Sequence, residues 1–245
     1  MGTGLQKSLA WCGVAFVLVL FPGLVMAGLL PPIPPTRTAE QVAQFWATNT
    51  GLKRCGLVLM LAGSALPVPF STLIAARMKQ LEGRFTPLTY AQIIGAALSV
   101  VAIMLPVCAF AAASYRPERD PQITQALNDL GWLPLVMFWP PATVQCLAIG
   151  FAVLGYRGTA PIWPRWVGYY NLWIAFIFAS GGLAVLFKTG VFAWNGLLAF
   201  WLVAAFFGTW YLVMTWQLLT TISTQPLAGG DDADGNLGRL QHTPT

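Results

Sequence analysis

From Trp132 to Tyr156 (WLPLVMFWPPATVQCLAIGFAVLGY) the chain carries no charged side chain. As a helix that length crosses the ~30 Å hydrocarbon layer of a bilayer. Inside it stands Trp139-Pro140-Pro141. Each proline removes a backbone donor and crowds the carbonyl four residues earlier, here Val136 and Met137, so the helix must kink or open. A broken backbone survives in lipid only where protein or water satisfies the freed groups. Thr143 and Gln145 follow at once. The span reads as a pivot that faces the protein interior, with the other helices gathered around it.

Those helices are read off the remaining apolar runs. Leu9–Leu30 is the first, at about 22 residues too long for the 7–15-residue core of a signal peptide, although Val25-Met26-Ala27 resembles a cleavage site. It is read as a retained span. Pro31–Pro35 (PPIPP) fixes an extended rod. Next, Val42, Phe45, Trp46 and Asn49 recur at helical spacing behind a cap at Thr38 with Gln41, which predicts a short amphipathic helix on the membrane surface anchored by Trp46. The second span covers 54–76 and contains Gly63-Ser64-Ala65-Leu66-Pro67-Val68-Pro69, a further break flanked by small residues. The third covers 88–114. In the loop 116–131, Asp120-Pro121 reads as a cap and first turn. Ile123, Leu127 and Leu130 give an apolar stripe, hence a second surface helix. The pivot span is 132–156, the fifth 167–187, and the sixth 191–222. The last two contain no proline and should form a straight, rigid pair. Residues 223–245 form a polar, glycine-rich tail that cannot bury surface. The expected fold is an all-α, six-helix membrane bundle of 1–222 with two amphipathic surface helices.

Composition agrees and also excludes. The chain of 245 residues is 57% hydrophobic and 9% charged, against about 25% charged in soluble domains. The net charge of +5 is scattered, without a Lys/Arg block, so nucleic acid is not an expected partner. Cys12, Cys55, Cys108 and Cys146 are too widely spaced for zinc pairs and read as packing residues. The one histidine, His242, lies in the tail, so neither a histidine metal centre nor a Ser-His-Asp triad can be assembled. Asp232, Asp234 and Gly235 echo a calcium loop, but Gly230 and Gln241 occupy two ligand positions. No metal and no cofactor are expected, and the chain leans away from enzymes.

What remains is uncharged polarity inside the spans. An amide in hydrocarbon needs a partner, which places Gln145, Asn171, Asn195, Gln92 and Gln217 toward the bundle, either fixing helix packing or lining a cavity. The candidate site is Gln145 with Trp139, Pro140, Pro141, Asn171, Asn195 and Tyr170; Tyr169 and Trp201 would complete its aromatic walls. The function this implies is non-enzymatic binding or passive transport of an apolar or weakly polar small molecule of lipid, sterol or hydrocarbon type. One alternative is an accessory subunit of a membrane complex, meeting partner subunits or a second copy. Weaker is a membrane enzyme with a borrowed cofactor.

Orientation follows from Lys and Arg. With the amino terminus inside, Lys7, Arg77, Lys79, Arg84, Arg157, Arg165 and Arg239 face inward; Arg37, Lys53, Arg54, Arg116, Arg119 and Lys188 face outward. This favours both termini in the cytoplasm and residence in the cell (inner) membrane. Single cysteines at Thr38 and Gln125 in a cysteine-free background should therefore react with an impermeant maleimide on intact cells, and one at Gln80 should not. Labelling at Gln80 alone would reverse the orientation.

Overall fold

A computed structural model describes residues 2–225. Among them there is no strand, and six helical segments are long and apolar enough to cross a membrane: Thr3–Met26, Thr50–Glu82, Pro87–Tyr115, Pro121–Gly155, Arg165–Leu186 and Leu197–Thr224. The first is α1 (Thr3–Met26), followed by a short α2 (Ala39–Ala47). The second is divided into α3 (Thr50–Gly63) and α4 (Pro67–Glu82), and the third is α5 (Pro87–Tyr115). The fourth is divided into α6 (Pro121–Met137) and α7 (Trp139–Gly155). The fifth is α8 (Arg165–Ala179) continued by a 3₁₀ turn Ser180–Leu186; the sixth opens with a π turn Leu197–Trp201 and becomes α9 (Leu202–Thr224).

Both described ends, Thr3 and Thr224, lie on one side, here the terminal end; the opposite side, bearing α2, is the loop end. The elements α1, α3, α5, α6 with α7, α8 and α9 touch in sequence and close a ring. The break at Ser64–Leu66 lets the second segment change place. Tightened bonds such as Leu66 N to Gly63 O (3.0 Å) keep its backbone satisfied. Below it, α4 is packed on α1, α5 and α7, and its Phe70 ring meets Trp210 and Tyr211 of α9 at 6.1 and 5.4 Å. Phe70, Leu73, Ile74 and Met78 are buried, so α4 fills the axis of the terminal half.

Glycines set the closest crossings. A Cβ on Gly56 would lie 2.6 Å from Gly23 O and from Ala27 N, and one on Gly23 would lie 3.0 Å from Gly56 O. Gly150 and Gly168 mirror each other in the same way between α7 and α8, at 3.2 Å both ways. Backbones can approach this closely only without side chains, the usual device of helices in lipid.

Charged residues finish the helix ends. Arg54 Nη2 donates to Ser114 O (2.6 Å) and Tyr115 O (3.0 Å), and Arg119 Nη1 donates to Ala112 O (2.8 Å), all at the electronegative end of α5. At its other end, the Glu82 carboxylate accepts from Leu88 N (2.8 Å) and Thr89 N (2.7 Å). Arg77, read from sequence as a loop residue, stands inside α4 and is fully buried, donating to Gln6 Oε1 (2.8 Å) and Gln225 O (2.5 Å).

The two surface helices come out differently. α2 forms where the spacing places it, with the reciprocal Thr38–Gln41 cap. Trp46, however, is no surface anchor: it is 1% exposed, and its Nε1 donates to Asn128 Oδ1 at 3.1 Å. No separate second surface helix exists among the described residues, since α6 begins at Pro121 and continues into the fourth span. Its faces are also reversed. Thr124, Asn128, Gly131 and Trp132 are buried, whereas Ile123 and Leu130 are 53% and 52% exposed. Polar and small residues can pair against α2 and α5, while apolar ones are no burden where lipid is the solvent. The straight pair is likewise not observed, because the fifth span tightens at Ser180 and the sixth begins at Leu197 instead of residue 191. Gly190 at φ 82° and a turn through Gly196 occupy that interval. α1 ends at Met26 instead of Leu30, where Gly28 takes φ 71°. The tail expected from 223 begins after α9, and from 226 onward it lies outside the described residues, as do His242 and the acidic group at 232–234.

Gly56→Val should overpack the α1–α3 crossing by about 1–3 kcal/mol. It should lower the melting temperature in detergent, whereas Gly51→Ala, with nothing within 4 Å of its Cβ, should not.

Candidate functional site

The ring is filled by α4 in its terminal half and left partly empty in its loop half. There it holds an apolar cavity of about 140 Å³. Leu20 and Leu24 of α1, Met60 of α3 and Ile103 of α5 line one side; Val136, Trp139 and Phe178 line the other. Phe200 and Phe207, from the start of the sixth span, complete the wall.

Each of those two phenylalanines also belongs to a buried aromatic layer. Phe200 packs edge-on to Trp132 (5.9 Å), which stacks on Trp194 (6.2 Å, 10°) and meets Phe110 (5.5 Å), itself stacked on Trp46 (5.5 Å). Trp194 Nε1 donates to Ile33 O at 2.8 Å, tying the proline rod over this end. Phe207 packs on Tyr211 (5.2 Å) and Phe16 (5.9 Å), above Phe70 of α4. The cavity thus lies between two rigid aromatic floors.

The fourth-span break forms its side. Phe138 leaves the helix at φ −75°, ψ 41°, and Pro140 and Pro141 fall in the first turn of α7. Missing N–H groups cost little there, since first-turn donors have no partner in their own helix. The prolines therefore open a new helix; they do not bend an old one. Pro140 can give no N–H to Val136 O, and Gly181 is packed against that carbonyl so closely that a Cβ on it would collide. Gly182 likewise leaves room for the Trp139 indole. Thr143 Oγ1 donates to Ala175 O (3.2 Å), and Ser180 Oγ lies 2.8 Å from both Ile177 O and Leu198 O, binding the fifth span to α7 and to the sixth.

Of the residues singled out from sequence, only Trp139 borders the cavity. Pro140 and Pro141 shape the break without lining it, and Pro140 is exposed. Gln145 is 5% exposed but faces α5, where a Cβ on Gly95 would meet its backbone N at 3.1 Å. Asn171 is committed to packing: its Nδ2 donates to Val167 O (2.9 Å) and its Oδ1 accepts from Trp210 Nε1 (2.9 Å). Asn195 is not helical; it lies in the turn before the sixth span. The Tyr170 hydroxyl donates to Thr209 Oγ1 at 3.4 Å, and Tyr169 and Trp201 are 53% and 42% exposed, away from the cavity. Gln92 is wholly buried on α5, and neither of its amide atoms has a partner. Of the residues around the cavity not singled out, Phe178, Phe200 and Phe207 carried no distinguishing signal, whereas the Gly181-Gly182 pair did, as small residues that could accept a neighbour's broken backbone.

Among the described residues no group of three or more His, Cys, Asp or Glu could hold a metal ion. Neither a family model, nor a curated protein, nor a solved structure matches this chain.

Because Asn171 serves packing, Asn171→Leu should leave the Trp210 indole N–H buried without an acceptor, costing about 1–3 kcal/mol. Thermal unfolding should show the loss, while the content of any molecule copurifying in the cavity stays unchanged.

Proposed function

We propose that this chain is a non-enzymatic membrane protein that binds, and passively exchanges, a small apolar molecule or the apolar end of a longer one in the cavity beside the α6–α7 break. Its setting in this reading is the cell membrane, with the terminal end toward the cytoplasm. The observation that carries it is the lining. Its polar side-chain groups are the Ser99 hydroxyl, which already donates to Gly95 O at 2.8 Å, and the Trp139 indole N–H, which lies against Gly182. An occupant therefore needs at most one hydrogen-bond acceptor. The size favours hydrocarbon: an engineered apolar cavity of about 150 Å³ stays dry and takes benzene. A whole sterol or lipid exceeds about 140 Å³, so only one end of it would enter, the remainder leaving past the 41%-exposed Phe138.

Selection in a bilayer cannot rest on the hydrophobic effect, since lipid tails are as apolar as the cavity wall. It rests on fit, through dispersion contacts with Phe178, Phe200, Phe207 and Trp139. Rigid aromatic walls suit a compact or ring-shaped end better than a flexible chain. The accessory-subunit reading would draw on the exposed stripe Trp166, Tyr169, Trp173 and Phe176 of α8. Helix contacts in membranes favour small residues, so bulky aromatics there suit lipid better than a partner helix.

Organic extraction and mass spectrometry of purified protein should recover an apolar compound at near one per chain. Ala142→Phe, or the gentler Ala102→Leu, fills the cavity and should reduce it at least fivefold. Pro140→Ala with Pro141→Ala, which restores two donors and straightens the span, should act in the same direction. Unchanged content in all three variants would overturn the proposal.

A further inference from the structure

A second hollow lies on the outside of the ring, independent of the cavity. α3 and α5 run antiparallel and meet at Leu57 and Val107, each 2% exposed. Outward of that seam, Val58 and Leu61 on α3 and Cys108 and Ala111 on α5 form a trough of about 220 Å³. Cys108 and Ala111 are small, so the α5 side is low, and the trough follows roughly 10 Å of helix from the loop end toward the bilayer centre.

At its head stands Arg54. The guanidinium is fixed because Nη2 is held by the last carbonyls of α5, Ser114 O at 2.6 Å and Tyr115 O at 3.0 Å, with Cζ 5.8 Å from the Tyr115 ring. Among the described residues no carboxylate pairs with it, and none is a partner of Nη1 or Nε. This leaves a positioned cation with donors to spare at the depth where α5 leaves the membrane. The neighbouring loop is balanced in charge, so the guanidinium is not neutralised by it. Arg116 and Arg119 are offset by Glu118 and Asp120, and Asp120 is already engaged in capping Gln122 N (2.8 Å).

A hydrocarbon trough ending at an unpaired, fixed guanidinium is complementary to one kind of molecule. We propose that it holds an anionic glycerophospholipid, one acyl chain in the trough and the phosphate on Nη1 and Nε of Arg54. Phosphate oxygens match the planar donors of guanidinium better than those of an ammonium. Tyr115, 68% exposed, sits where interfacial aromatics flank headgroups.

The test is native mass spectrometry of delipidated full-length protein titrated with phosphatidylglycerol or phosphatidylcholine of identical chains. Both lipids offer a phosphodiester to Arg54, but in phosphatidylcholine the choline cation neutralises the headgroup and is repelled by the guanidinium, so phosphatidylglycerol should be retained roughly tenfold more strongly. Arg54→Gln should abolish that preference, and Arg54→Lys should keep only part of it. Arg37→Gln, whose guanidinium lies over Phe45 instead, should preserve it. Since Arg54 also caps α5, Ala111→Trp supplies a second arm: it blocks the trough, leaves the charge in place, and should weaken both lipids at least fivefold. Equal retention of the two lipids by the unmodified protein, or undiminished binding by Ala111→Trp, would overturn the proposal. Neither result bears on the interior cavity, whose content is read separately.

Discussion

The arrangement depends on one constraint: a helix interrupted in hydrocarbon must find company for the carbonyls and amides it releases. Pro140 leaves the Val136 carbonyl without its usual donor, and Gly181 of the next span packs against that carbonyl without bonding to it, while Gly182 makes room for the Trp139 indole. Ser180 then bridges that turn to Leu198 of the sixth span. Three consecutive spans lose regular helix at the same depth, and each accommodates the others. The cavity is what remains when three helices step aside together.

How much of this could be read in the sequence depends on which force decided each element. Span number was legible because length without charge is decisive in lipid, and the α2 cap was legible because Thr38 and Gln41 interact locally. The face of α6 was not. A stripe of Ile123, Leu127 and Leu130 points inward in water, but in a membrane the inward face is the one that must satisfy Asn128 and Thr124. Gln145 lies away from the cavity for a related reason. It had to face protein, but the sequence does not say which neighbour, and Gly95 offered the closest approach. The start of the sixth span was missed because Val191–Asn195 is apolar enough to continue a helix. Gly190 breaks it with a φ of 82°, and Gly196 by lacking a Cβ that would collide with Val191 O, neither of which hydropathy registers.

Helix ends are finished by charge where sequence alone suggested only loops. Glu82 accepts from the first turn of α5, while Arg54 and Arg119 donate to its last. Both choices follow the helix dipole, and both pin α5 at its two ends. Pinning suits its position, since α5 touches α3, α4, α6 and α7 and contributes to the walls of both hollows.

The axial placement of α4 has a consequence for direction. Its 16 residues occupy the middle of the terminal half, with Arg77 buried near its end. With the layer of Trp132, Trp194 and Phe200 over the other end, the cavity is closed along the axis on both sides. Its flank is open beside Phe138, which lines the cavity and is 41% exposed. For an occupant of the proposed kind, the short route is then through the flank of the bundle and not along its axis.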